Sequence, residues 1–167
     1  MLEYALIFLF PFAMVFAGVN DLLAFTISNR ICLILIGGFW TAALLTGLPC
    51  STLFNHLVAG TAVIFIGFAL FARGMVGGGD AKLAAAATLW LGFEHLLPFL
   101  FWTALLGGAL ALVLLTYRRI LPPVWLLGQS WAMRLHDSRE GIPYGVAIAG
   151  AGLIVYPQTI WMTGIAG

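Results

Sequence analysis

Long stretches of this chain carry no Asp, Glu, Lys or Arg, and that constrains the fold more than any motif does. Tyr4 to Asn20, Ile31 to Leu48, Thr52 to Ala72 and Leu96 to Thr116 are all free of them. A hydrocarbon layer about 30 Å thick is crossed by about 20 apolar residues of helix. A soluble surface needs about a quarter of its residues charged, whereas here 8% are charged and 63% are hydrophobic. A soluble enzyme, a disordered chain and a secreted disulfide scaffold are excluded together. The seven basic residues are scattered along a chain of net charge +1, so there is no phosphate-binding patch and no nucleic-acid partner. The lipid bilayer is the first partner implied.

The segments are apolar all round rather than alternating, so helices are expected and not barrel strands. The expectation is an all-α polytopic membrane protein, one domain over residues 1–167, with six crossings. These are placed at Tyr4–Asn20, Ile31–Leu48, Thr52–Ala72, Ala81–Phe93, Leu96–Thr116 and from Ile142 to Ala166, the last broken by Pro157. On that path Arg30, Arg73, Lys82, Arg118, Arg119, Arg134 and Arg139 all fall on one side. The positive-inside rule makes that side cytoplasmic and puts both termini outside. Met1 to Asn20 has no basic residue and contains Glu3, so it is expected to be a retained helix and not a signal peptide. Pro122 to Leu135 is expected either as a short amphipathic interfacial helix or as an ordinary loop.

Most ionisable residues have a bland explanation. The arginines cap helix ends and snorkel. Glu3, His56, Glu94 and His95 are expected to be solvated in outer turns, and Asp137 and Glu140 in the largest cytoplasmic connection. Cys32 and Cys50 lie 18 residues apart at opposite ends of one helix, about 27 Å, so they are expected as packing residues. No metal-ligand spacing occurs, so no metal and no cofactor is expected.

Asp21 and Asp80 are different. Asp80 follows Gly74-Met75-Val76-Gly77-Gly78-Gly79, a run that disfavours helix and permits close backbone approach. The helix it precedes spans only about 20 Å. If Glu94 and His95 mark the outer surface, Asp80 lies about 10 Å below the inner one. Irregular backbone at that depth must line a wet cavity or be buried in protein. Asp21, at the end of helix one, opposes the helix dipole at about 0.3–1 kcal/mol, and so calls for a reason. Two carboxylates on one side of an apolar bundle can share one proton. The ionised one can then deprotonate water while the protonated one polarises a carbonyl. The same pair at a broken helix also suits a small proton- or cation-coupled transporter, although no second glycine-aspartate break mirrors the first. A third possibility is a non-catalytic membrane assembly subunit.

Gly77-Gly78-Gly79-Asp80 fits the G-x-G-D signature of intramembrane aspartic proteases. Gly78-Gly79-Asp80-Ala81-Lys82-Leu83 resembles the version carried by type IV prepilin peptidases. Asp21 stands eight residues ahead of Asn29, as that family's first aspartate stands ahead of the Asn of an Ile-Pro-Asn. Ser28 replaces the proline here, and Leu23 to Thr26 replaces a usually basic stretch. Gly141-Ile142-Pro143-Tyr144-Gly145 resembles the family's Pro-Tyr-Gly turn at the start of the last helix.

The resemblance implies an inner-membrane aspartic endopeptidase that removes the basic leader of prepilin-like subunits at the cytoplasmic face. Asp21 and Asp80 would be catalytic. Gly77, Gly78, Gly79, Lys82, Asn29, Pro143, Tyr144 and Gly145 would shape the site. The implied partners are a prepilin-like helix and pilus assembly machinery. The chain has no Cys-x-x-Cys, and between Asn29 and helix two there is no room for the zinc-bearing insertion of long members. A small form that processes tight-adherence (Flp-type) pilins is expected.

Overall fold

A computed structural model describes residues 2–119, 129–137 and 141–163, and every described element is helical. The helices are α1 (Leu2–Ala24), α2 (Asn29–Leu45), α3 (Cys50–Ala72), α4 (Gly78–Leu91), α5 (Leu96–Tyr117), α6 (Ser130–His136), α7 (Tyr144–Val155) and α8 (Ile160–Thr163). Single 3-10 turns, Phe93–His95 and Tyr156–Gln158, precede α5 and follow α7.

Three stretches, Ile7–Ala24, Cys50–Ala72 and Phe93–Tyr117, are long and apolar enough to cross a membrane. The helices between them are shorter: α2 has 17 residues, α4 has 14 and α7 has 12. The last segment starts as a helix at Tyr144 and is broken at Pro157, as expected. The helix stops at Val155, where Tyr156-Pro157-Gln158 tightens to a 3-10 turn, because proline cannot donate the next helical bond.

The short helices α4 and α7 sit inside and the long ones outside. Helix α4 buries Ala81, Leu83 and all of Ala85 to Leu91, whereas α5 buries only Phe99, Gly107 and Leu114. Small residues let the inner helices approach closely. A β-carbon at Gly67 of α3 would lie 2.9 Å from Ala81 Cβ, and one at Gly18 of α1 would lie 3.0 Å from Ala149 Cβ of α7. On α1 the buried stripe runs Phe10, Met14, Ala17 and Asp21, the spacing of one helix face. Asp21 therefore points at α7 and away from lipid.

At the far end of α4 the core is aromatic. Trp90 packs among Phe10, Phe39, Tyr156 and Trp161. The polar edge of each ring that has one is used: Trp90 Nε1 donates to Leu35 O (2.8 Å), Trp161 Nε1 to Trp90 O (2.7 Å) and Tyr156 Oη to Ile7 O (2.9 Å).

Several polar residues depart from expectation. His56 is buried, 4% exposed, and its Nδ1 bonds Leu89 O at 2.8 Å, so it ties α3 to α4 and is not solvated. His95 is half-buried and contacts a carbonyl through each ring nitrogen. Arg118 does not simply snorkel. Its Nε donates to Leu135 O and its Nη2 to Gly141 O, both at 2.9 Å, which straps the approach to α7 onto the end of α5. Cys32 is buried, but Cys50 is exposed and is no packing residue. Within the expected interfacial segment α6 is helical, while residues 122–128, like Arg139 and Glu140, lie outside the described residues.

Candidate active site

Helix α4 starts at Gly78, three residues before the expected Ala81. Gly77 is its N-cap, and Gly78, Gly79 and Asp80 form its first turn. Asp80 thus occupies the third helical position, where an acidic side chain reaches back to the cap N–H. Its carboxylate turns over Gly77, whose backbone N–H it faces, and a β-carbon at Gly77 would lie 2.7 Å from Asp80 Oδ2. The dipole at a helix start favours this carboxylate. The irregular backbone is confined to Arg73–Gly77, with Gly74 in the left-handed region at φ +70°.

Asp21 reaches its position by a different route. Helix α1 runs past it to Ala24, and Phe25 then takes a left-handed conformation, φ +53°, unusual for a bulky residue. Thr26 to Ser28 have no regular structure and lead the chain into α2. Ser28 caps α2 by accepting from Arg30 N–H (3.3 Å), with φ −67°. That is the angle a proline ring imposes, so the serine supplies the geometry of the residue it replaces.

Asp21 lies in the last turn of α1, as expected, but a second helix compensates. Its Oδ2 accepts from the Gly145 N–H at 2.7 Å, and the Val146 N–H also faces it. Both amides belong to the first turn of α7, so Asp21 caps that helix from another element, where the dipole favours an anion. Pro143 is the N-cap residue of α7 and brings no donor of its own. Gly145 has to be small. A β-carbon there would lie 2.7 Å from Asp21 Oδ2 and 2.8 Å from Ile27 Cδ1.

Ile27 joins the two halves. Besides Gly145 it packs on Gly79, where a β-carbon would come within 3.2 Å of Ile27 Cβ. Asp21 and Asp80 are near enough for their charges to interact. Asn29 and Lys82 meet directly, with Lys82 Nζ donating to Asn29 Oδ1 at 3.1 Å. The segments 21–29, 77–82 and 143–145 therefore converge at one end of the bundle.

A cleft of about 870 Å³ opens beside them, between α3, α4, α5 and α7. Its walls are mainly apolar, with Asp80, Arg118, Thr103 and Tyr144 as the polar exceptions. Asp80 faces this cleft, while Asp21 is buried behind the first turn of α7, 5% exposed. The Tyr144 ring lies on Gly107, where a β-carbon would be 2.6 Å from its Cε1. Sequence reasoning missed Ile27 as the wedge and Arg118 as the strap. The unbroken stripe ending at Asp21 was the signal available for its orientation.

A sequence model of the type IV leader peptidase family matches residues 8–112, which carry Asp21, Asn29, the glycine turn, Asp80 and Lys82. The chain belongs to that family. Members are prepilin peptidases, aspartic hydrolases of the membrane, and this chain is one of them. The matched segment ends before Pro143-Tyr144-Gly145, so the structure alone brings that turn to the Asp21 side chain. No curated protein and no solved structure matches the chain.

Proposed function

We propose that this leader peptidase cuts the basic leader from prepilin-like subunits, the Flp type in particular, with Asp21 and Asp80 as the catalytic pair. One observation carries this. Asp21 and Asp80 converge within electrostatic range of one another, and Asp80 faces an apolar cleft. Like charges in a low-dielectric setting share a proton, and the pair titrates as a unit. The member that keeps the proton donates to the oxygen of the scissile carbonyl. The other takes a proton from water, and the hydroxide attacks carbon. The base then passes that proton to the amide nitrogen as the C–N bond breaks, and a diol hydroxyl returns its proton to the first carboxylate, so the dyad regains its single shared proton.

The cleft suits the remainder of the substrate. An apolar pilin helix entering from lipid can lie along α3, α5 and α7, while the residues at the cut are extended past the Gly74–Gly77 turn. A helix hides its carbonyls, so the bond to be cut must leave helical geometry where the enzyme's backbone is itself irregular. The connection from α1 to α2, Phe25 to Ser28, has no room for a zinc module, which supports a small form.

For the topology we favour six crossings, with α2, α4 and α7 as short spans enclosed by longer ones and the basic residues on the cytoplasmic side. The active site then faces the cytoplasm of a bacterial inner membrane. Co-expression with a pilin precursor that has a basic leader, scored for a size shift, tests the proposal. A shift supports it. An unchanged precursor in membranes that contain the folded enzyme overturns it.

A further inference from the structure

The two helices that begin beside the carboxylates are also joined at their far ends, through one imidazole. Asp80 lies in the first turn of α4 and Asp21 caps the first turn of α7. Leu91 is the last residue of α4, and Gln158 closes the 3-10 turn that follows α7. His95 contacts both, Nδ1 to Leu91 O at 3.0 Å and Nε2 to Gln158 O at 3.1 Å.

Both partners are carbonyl oxygens, which only accept. A neutral imidazole has a single N–H and sets a lone pair against the second oxygen, whereas the imidazolium has two donors and satisfies both. Each carbonyl also lies at the end of a helical segment, where acceptors lack intrahelical partners and the dipole favours a cation. Resting on the catalytic assignment above, we propose that His95 is a positioning residue for the Asp21–Asp80 pair. Doubly protonated, it clasps the far ends of α4 and α7 and so fixes how their first turns face each other.

The ionisable groups around the ring are Glu94, its chain neighbour, and His56 on α3, whose charges interact. From the turn after α7 comes Tyr156, whose hydroxyl is already donated to Ile7 O. The second tie at this end, Trp161 Nε1 to Trp90 O, does not titrate. His56 also holds this end of α4, through Leu89 O, but His95 is the imidazole that joins α4 to the turn after α7. With a proton on each nitrogen the clasp has two arms, and with one proton it has one. Helix α4 transmits the change as a rod about 20 Å long, so a small tilt at Leu91 displaces Asp80 in the cleft.

The experiment uses the full chain in lipid nanodiscs, from about pH 5 to about pH 8, with two readouts. The first is the 15N spectrum of histidine-labelled protein, with His95 assigned by the signal lost in His95→Gln. Two protonated nitrogens at the acidic end, giving way to one, are expected. A ring that carries one proton at every pH overturns the clasp. The second is cleavage of a pilin precursor by wild type, His95→Leu and His95→Lys.

His95→Leu should lower kcat about three- to tenfold at acid pH, the range one hydrogen bond supplies, with KM unchanged. His95→Lys keeps a charged donor, so it should restore most of kcat. The ratio of wild-type to His95→Lys rates cancels the titration of the carboxylates, and it should fall as pH rises. A flat ratio, or a His95→Leu enzyme with the wild-type kcat, overturns the proposal. If His95→Leu does not fold, His95→Gln serves in its place. A wild type that leaves the precursor intact refutes the peptidase assignment instead, and the spectrum alone then decides the clasp.

Discussion

The Gly145 N–H donates to Asp21 Oδ2 at 2.7 Å across 124 residues of chain, so one carboxylate of the proposed pair also starts the helix packed against it. Folding and chemistry meet in this bond. Asp21 is held in place by the amides of α7, and α7 has no side-chain cap of its own.

Gly145→Ala follows directly. Alanine favours a helix by about 1 kcal/mol over glycine, but its β-carbon would meet Asp21 Oδ2 at 2.7 Å and Ile27 Cδ1 at 2.8 Å. Overpacking of this kind costs about 1–3 kcal/mol, and the carboxylate has to move. The variant should melt at lower temperature and lose at least about tenfold in processing rate. Thermal unfolding and precursor cleavage together check this.

Gly77→Ala should separate activity from stability. Its β-carbon would fall 2.7 Å from Asp80 Oδ2, and the carboxylate can swing into the cleft to escape. Cleavage should drop steeply while the melting temperature changes little. Gly37→Ala in α2 is the control, since nothing lies within 4 Å of its β-carbon, and it should cleave at the wild-type rate.

The bond between Lys82 and Asn29 is exposed, so its energy should be small. A double-mutant cycle with Lys82→Ala and Asn29→Ala, read by thermal or denaturant unfolding, should give a coupling below about 1 kcal/mol. A larger coupling would mean that the pair is a structural pillar and not a trim to the site.

Trp90→Phe keeps most of the ring volume but leaves Leu35 O without the indole donor at 2.8 Å. Leu35 O keeps its partner within α2, so the loss is one net hydrogen bond, about 0.5–1.5 kcal/mol, plus the cavity left by the smaller ring. The variant should therefore be clearly less stable. Because the change lies at the far end of α4, its KM for the precursor should stay near that of wild type.

Much of the fold was legible, because the solvent sets the rules: uncharged runs had to become helices, and they did. Periodicity even held the orientation of Asp21 in the spacing of Phe10, Met14, Ala17 and Asp21. The first turn of α4 was not legible. Gly78 and Gly79 disfavour helix intrinsically, yet contacts with Phe71 and Ile27 keep them helical, so tertiary packing overrides propensity. The burial of His56 was hidden for a similar reason. Its nitrogen meets a carbonyl 33 residues away and its ring lies against Phe39 and Trp161, partners that no local pattern reveals. In the candidate site the motifs located the acids, but what each carboxylate touches depends on long-range contacts. The dipole of α7 that compensates Asp21 was hidden because α7 lies more than a hundred residues away.

The central claim is that Asp21 and Asp80 act as one catalytic unit. The most direct measurement is cleavage of a pilin precursor by purified Asp21→Asn, Asp80→Asn and the double variant, each shown by its melting curve to be folded in the membrane. Each single change should abolish processing, and the double variant should be no worse than either, because residues that act as a unit do not add. Processing at a substantial fraction of the wild-type rate by either folded single variant would contradict the account.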